Sequence, residues 1–181
     1  MTDGPRIPPL APEDRDERTA ALVESLRFGD EDMNLFATLA HHPRLLRRWS
    51  QFGGLLLFGG TLPGRDREVL ILRTAFNTGA DYEWGHHVEL GTAAGLTPEE
   101  IRSLATAEPD LPEADRLLVT AADELHATNV ISDPTWASLA ARYETQQLIE
   151  LCMLVGQYHL VAFTLNSLGI EREPGFEGVP R

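Results

Sequence analysis

The stretch Asp81 to Leu90 reads D-Y-E-W-G-H-H-V-E-L and packs three carboxylates, two imidazoles and an indole into ten residues. Such a set can do proton chemistry. Histidine titrates near neutrality, and flanking carboxylates raise its pKa, fix its tautomer and stabilise the imidazolium. A charged run is equally the solvated face of an ordinary helix, so spacing has to decide. On a helix from Ala80 to Gly95, positions 80, 84, 88, 91 and 95 carry Ala, Trp, Val, Gly and Gly, an apolar stripe of mostly small residues. Glu83 and His87 flank that stripe four residues apart and stack on one face. Tyr82 and His86 form a second pair further round, and Glu89 takes the face left for solvent.

The preceding segment, R-D-R-E-V-L-I-L-R-T-A, adds a third group. Glu68 shares its helix face with Ile71, Leu72 and Ala75, whereas Asp66, Arg73 and Asn77 mark a more polar side. A carboxylate on an apolar face must meet a partner, because an unpaired buried charge is costly. Two helices joined by a tight turn at Gly79 pack antiparallel, which brings Glu68 toward His87 with Glu83 one turn away. Each member also has a plain structural reading. Glu68 falls in a first helical turn, where the helix dipole favours a carboxylate without any catalysis. His87 can belong to a satisfied core network, and Trp84 can be core.

These residues need helices to hold them, and helices are what the rest of the chain offers. A helical pattern runs from Pro12 to about Gly29, another from Met33 to Ala40, and a third from Pro43 to Gly59–Gly60, where Leu45, Leu46, Trp49, Phe52 and Leu56 recur. After the two site helices, L-T-P-E-E-I has the spacing of a capping box with Thr97 as N-cap, and Asp81 is placed to cap the helix before it. Helical patterns at Glu113–Thr128, Asp133–Tyr143 and Thr145–Leu168 follow. No segment alternates apolar and polar residues. The chain therefore reads as all-α, one helical domain of about eight helices over residues 13–171. Residues 1–12, with four prolines, read as a flexible N-terminal arm, and residues 172–181 as a polar tail.

Bulk properties set the limits. The 181 residues suffice for one domain with its own core. A formal net charge of −13 opposes passive binding to nucleic acid or an anionic membrane. The apolar run Leu148–Leu168 is interrupted by Glu150, Gln157, His159 and Asn166, so it reads as a buried helix and not as a membrane span. The N-terminus lacks an apolar signal core, and a cytoplasmic protein is expected. The single cysteine, Cys152, sits in L-C-M-L and reads as packing.

Taken together, R-D-R-E-V-L-I-L-R-T-A, Y-E-W-G-H-H-V and A-G-L-T-P-E-E-I resemble the carboxymuconolactone decarboxylase family, which includes the alkylhydroperoxidase D proteins. L-A-H-H-P upstream and V-G-Q-Y-H-L-V-A-F-T-L-N-S-L-G downstream are similar to flanking segments of cysteine-less members, so the likeness covers about residues 33 to 171. In the peroxidase branch the motif is E-x(11)-C-x(2)-C-x(3)-H. Set on Glu68, its cysteine positions fall at Ala80 and Glu83 and its histidine at His87. Both thiols are missing, so thiol-based peroxide reduction should be absent. The resemblance implies an alkylhydroperoxidase D-like fold. It also implies a lyase or isomerase acting on a small carboxylate- or lactone-bearing substrate, without metal or organic cofactor. Glu68, Glu83 and His87 would be its catalytic residues, with His87 protonating the carbanion or dienolate left by loss of carbon dioxide. It further implies a homo-oligomer, a trimer or hexamer.

Trp84, His86 and His159 are secondary candidates for substrate binding. His159 and Asn166 lie in the most apolar helix, where a structural hydrogen bond is the plainer role. His41 and His42 could cap the helix before them, and Tyr158 reads as packing only. Glu68, Glu83 and His87 could in principle hold zinc or iron. The order E-W-G-H-H is not H-E-x-x-H, however, and only His87 shares the inner face with the acids, so no metal is expected. A non-catalytic helical scaffold or binding protein that kept the family frame is the alternative function.

Overall fold

A computed structural model describes residues 4–181, and the first three residues of the expected N-terminal arm lie outside the described residues. The described residues form nine α-helices and a 3-10 turn, with no strand among them. The helices are α1 (Glu17–Glu24), α2 (Asn34–Leu39), α3 (Pro43–Phe58), α4 (Gly64–Thr78), α5 (Asp81–Ala93), α6 (Pro98–Leu104), α7 (Glu113–Thr128), α8 (Asp133–Ala140) and α9 (Thr145–Leu168). The all-α expectation holds.

The chain packs as two compact units. The first contains the described residues up to Gly59 together with Phe163–Phe176, and the second contains Gly60–Ala162 with Glu177–Arg181. In the first, Val23, Ala40 and Leu46 form a core lined by Leu10, Leu22, Leu26, Phe36, Leu39 and Trp49. Its α1 is shorter than the pattern from Pro12 suggested: Pro12–Asp14 makes the 3-10 turn, and Asp16 opens the helix by accepting from the Thr19 N–H at 2.7 Å. Within the same unit the Arg6 N–H donates to the Leu168 carbonyl at 2.8 Å and the Leu10 N–H to that of Ala37 at 3.0 Å. His41 and His42 do not cap α2. His42 Nδ1 instead accepts from the Leu45 N–H as the N-cap of α3, and His41 Nε2 pairs with the Pro8 carbonyl at 3.1 Å. Pro43 in the first turn explains the reversal, since the helix it opens leaves donors for a cap to satisfy.

The second unit is organised on α4. Val69, Leu70, Ile71 and Leu72 are wholly buried, and Thr74 and Ala75 nearly so. A helix covered on every side is a central helix, and α5, α6 and α7 pack on it. Gly79 ends α4 with φ 60°, the left-handed conformation glycine adopts without penalty, and α5 starts two residues later. Ala80 is the N-cap position and Asp81 the first helical residue, so Asp81 does not cap α5 as expected. Its Oδ1 accepts from the Val179 N–H at 3.1 Å and its Oδ2 faces Arg181 at 3.2 Å. Thr97 and Glu100 form the predicted capping box of α6. The helix α9 is apolar and long enough to cross a membrane by length and composition alone, and it is half buried.

Candidate active site

Gly91 lets α5 close onto α4. A β-carbon there would stand 3.1 Å from Leu96 Cδ1 and 3.2 Å from Leu72 Cδ1, with Glu68 Cβ next at 3.8 Å. Across this close approach His87 Nδ1–H donates to Glu68 Oε2 at 2.7 Å. Its other nitrogen, Nε2, faces Glu83 Oε1 at 3.0 Å, the i,i+4 pair that helical spacing puts on one face. One imidazole thus lies between two carboxylates. Glu68 is wholly buried, His87 is 4 % exposed and Glu83 is 7 % exposed, so Glu83 is the member nearest solvent.

Charge follows from this geometry. Burial by itself would lower the His87 pKa, but the Glu68 charge and hydrogen bond, with Glu83 behind them, raise it to about 9. At neutral pH the ring is then an imidazolium with both N–H groups donating. Burial would raise the Glu68 pKa, yet the charge and hydrogen bond of His87 and those of Arg67 leave it below the ordinary glutamate value. Among the described residues, no three His, Cys, Asp or Glu side chains are grouped to hold a metal ion.

Glu68, Glu83 and His87 are therefore brought together. The first-turn account of Glu68 needs correction, because α4 begins at Gly64 and Glu68 stands in its second turn. The dipole effect falls off within the first turn, so the partners, and not the helix end, hold this carboxylate. Trp84 is buried at 2 % exposure, and His86 lies with its ring 4.7 Å from that of Tyr82. His159 turns toward α7: its Nδ1–H donates to the Val155 carbonyl at 2.8 Å, and its Nε2 pairs with His126 Nδ1 at 3.0 Å. Asn166 is exposed.

Sequence reasoning missed two neighbours. Arg67 Nε–H donates to Glu68 Oε1 at 2.8 Å, and the Arg67 side chain keeps 21 % exposure. Its adjacency to Glu68 was a usable signal. Tyr158 of α9 stands with its ring edge to face against the His87 ring, centroids 5.1 Å apart. Nothing in its sequence surroundings pointed across to α5. The sole cysteine, Cys152, is partly buried, and burial raises its pKa.

Residues 43–111, which hold Glu68, Glu83 and His87, match the sequence profile of the carboxymuconolactone decarboxylase family. The match covers less than half of the chain and makes this segment carboxymuconolactone decarboxylase-like. No curated protein matches it by sequence. Among solved structures, it is similar to an uncharacterised peroxidase-related protein from Ralstonia eutropha JMP134, described as an alkylhydroperoxidase AhpD core. That likeness has a TM-score of 0.81 at 17 % identity, covering 96 % of this chain and 95 % of the other. A peroxidase-related protein from Silicibacter sp. TM1040 gives 0.80 at 14 % identity over 97 % of each chain. The debrominase Bmp8 gives 0.74 at 15 % identity over 93 % of this chain and 92 % of its own, and a cysteine-to-alanine variant of it was solved with 2,3,4-tribromopyrrole. These likenesses establish an AhpD-like fold. The carboxymuconolactone decarboxylase match ends before α9, so Tyr158 lies outside it.

Proposed function

We propose that this chain is a carboxymuconolactone decarboxylase-like lyase or isomerase that uses His87, Glu83 and Glu68 for acid–base chemistry on a small carboxylate- or lactone-bearing molecule. The observation that carries the reading is a buried imidazolium held at 2.7 and 3.0 Å between two carboxylates. Glu68 fixes the ring through Nδ1 and stabilises its charge, the supporting role of an orienting carboxylate. Glu83, the acid nearest solvent, is the group through which the His87 proton reaches a substrate.

In the decarboxylation the carbon–carboxylate bond breaks, carbon dioxide leaves, and the electron pair spreads into a dienolate. The proton on His87 Nε2 passes through Glu83 to the carbon, and solvent restores it. A thiol peroxidase route has no support, because the only thiol is Cys152 on α9.

Incubation with a panel of small lactone carboxylic acids, followed by carbon dioxide release and proton NMR, tests the reading. Turnover of at least one compound, lost in Glu83→Gln and His87→Gln with the helical spectrum kept, is the expected result. No turnover across the panel, or turnover that survives both substitutions, would leave a helical scaffold as the better account. A homo-oligomer belongs to the same proposal. Ile149, Met153 and Leu160 are 60, 48 and 49 % exposed along one stripe of α9, an apolar face suited to a second copy. Analytical ultracentrifugation would decide it, and a monomer would refute it.

A further inference from the structure

Tyr158 is a polar side chain beside His87 that the acid–base set leaves unused. Tyr143 and Tyr158 are almost equally buried, at 6 and 7 % exposure. The Tyr143 hydroxyl donates to Asp66 Oδ2 at 2.6 Å. The Tyr158 hydroxyl finds no hydrogen-bonding partner among the described residues, and the charges acting on it are those of Glu83, Glu68 and Arg67. Among the described residues the sealed polar atoms without a partner are Thr38 Oγ1 and Trp49 Nε1, so the Tyr158 hydroxyl keeps contact with the outside and is within reach of a bound molecule. The Tyr158 ring stands 5.1 Å from that of His87, and an acceptor that arrives with the bound molecule completes its bonding.

We propose that the Tyr158 hydroxyl is the donor that holds an oxyanion of the small molecule on which the Glu68–His87–Glu83 set acts. The proposal rests on the acid–base reading for its location and adds to it the substrate class, a compound whose carbonyl oxygen becomes negative as an enolate or dienolate. As the bond to the carboxylate breaks, its electron pair moves through the conjugated system onto that oxygen. Tyr158 donates a hydrogen bond there without giving up its proton, and the pair returns to carbon when the proton arrives from Glu83. Donors preset where charge develops are the form of stabilisation that costs no reorganisation. Burial, with Glu83 and Glu68 close by, raises the phenol well above its ordinary pKa despite Arg67, so the hydroxyl stays protonated. Arg67 spends Nε on Glu68, and its terminal nitrogens have no hydrogen-bonding partner among the described residues, which leaves a positive charge beside the anion.

The experiment needs no turnover. Wild type, Tyr158→Phe and Tyr143→Phe are titrated with para-nitrophenolate by absorbance, at a pH between the ionisation of the probe and that of His87, and each is melted by circular dichroism. A hydrogen bond to a charged oxygen predicts that Tyr158→Phe weakens binding about ten- to a hundred-fold. Its melting temperature should stay close to that of wild type, since the hydroxyl bonds to no described residue. Tyr143→Phe should bind as wild type and melt lower. Wild type that ignores the probe, equal affinity in Tyr158→Phe, or a Tyr158→Phe melt as depressed as that of Tyr143→Phe each overturns the proposal. Tyr158-dependent binding in a protein that decarboxylates nothing would count against the lyase reading alone.

Discussion

Glu68 and Arg73 lie five residues apart on α4, both buried and both charged, and they sit in opposite kinds of network. Arg73 is saturated. Its Nε and Nη2 donate to the two oxygens of Asp123 at 2.6 and 2.8 Å, its Nη1 to the Leu104 and Thr106 carbonyls at 2.9 and 2.6 Å. Asn77 adds a bond to the same Asp123 at 2.7 Å, and the guanidinium stacks 4.8 Å from the Phe76 ring centre. Around Glu68 the bonds stop short: Arg67 donates through Nε only, and the Tyr158 hydroxyl donates to none of the described residues. A closed network ties α4 to its neighbours, whereas an unfinished one keeps polar capacity in reserve. Burial and charge alone do not separate scaffold from site, but hydrogen-bond saturation does.

The strongest way to break this contrast is to substitute on both sides of it. Glu83→Gln keeps shape and burial while removing the carboxylate proposed to pass on the proton. General acid–base groups contribute about 100- to 10,000-fold to rate, so turnover of whichever lactone acid the wild type accepts should fall by about that factor, with little change in urea midpoint. Arg73→Ala should do the reverse. It strands two carbonyls and leaves Asp123 with Asn77 alone, at a cost of about 3 kcal/mol, the lower end for a broken buried pair, because Asp123 keeps 37 % exposure. Urea denaturation reads that loss directly. Equal stability effects in the two variants would erase the distinction.

Acidity offers a finer test. The His87 pKa is raised in the folded chain from 6.5 to about 9. Its contribution to stability is complete below about 6.5 and is lost as pH rises through about 9. Glu68 has the opposite sign: its folded pKa is lowered from 4.5, so its contribution is complete above that value and is lost as pH falls through the lowered one. The melting temperature of wild type should therefore decline from slightly acid pH toward pH 9, and His87→Gln should lack that alkaline decline. Turnover that depends on the imidazolium should fall over the same alkaline limb. A flat profile up to pH 9 would mean that the ring is not held as a cation.

The helices and the Glu68–Glu83–His87 meeting were legible because both rest on local rules. The i,i+4 step joins Glu83 to His87, and a glycine turn folds α5 back on α4 so that Glu68 arrives opposite. Tyr158 was not legible, because its contact with His87 joins positions 71 residues apart, and no periodicity within α9 specifies which helix it will face. His42 misled for a different reason. The histidine pair follows one helix and precedes another, and Pro43 decided in favour of the second. Arg67 was overlooked although it adjoins Glu68, since a surface arginine is the ordinary reading of that position.

The smallest effect concerns the two tyrosines seen as scaffold and site. Tyr143 gives its hydroxyl to Asp66, which is buried and also faces Arg142 Nη2 at 3.2 Å. Tyr143→Phe removes one donor from a carboxylate that keeps the other. A hydrogen bond to a charged group is worth about 1.5–3 kcal/mol, and the remaining arginine, itself partly exposed, softens the loss toward about 1.5 kcal/mol. Thermal or urea unfolding resolves a change of that size in a chain of this length. Because the phenyl ring fills the same space, the loss measures the hydrogen bond and not a cavity. A Tyr143→Phe protein as stable as wild type would mean that Arg142 alone satisfies Asp66. Hydrogen-bond saturation would then be too coarse a guide for telling this tyrosine from Tyr158.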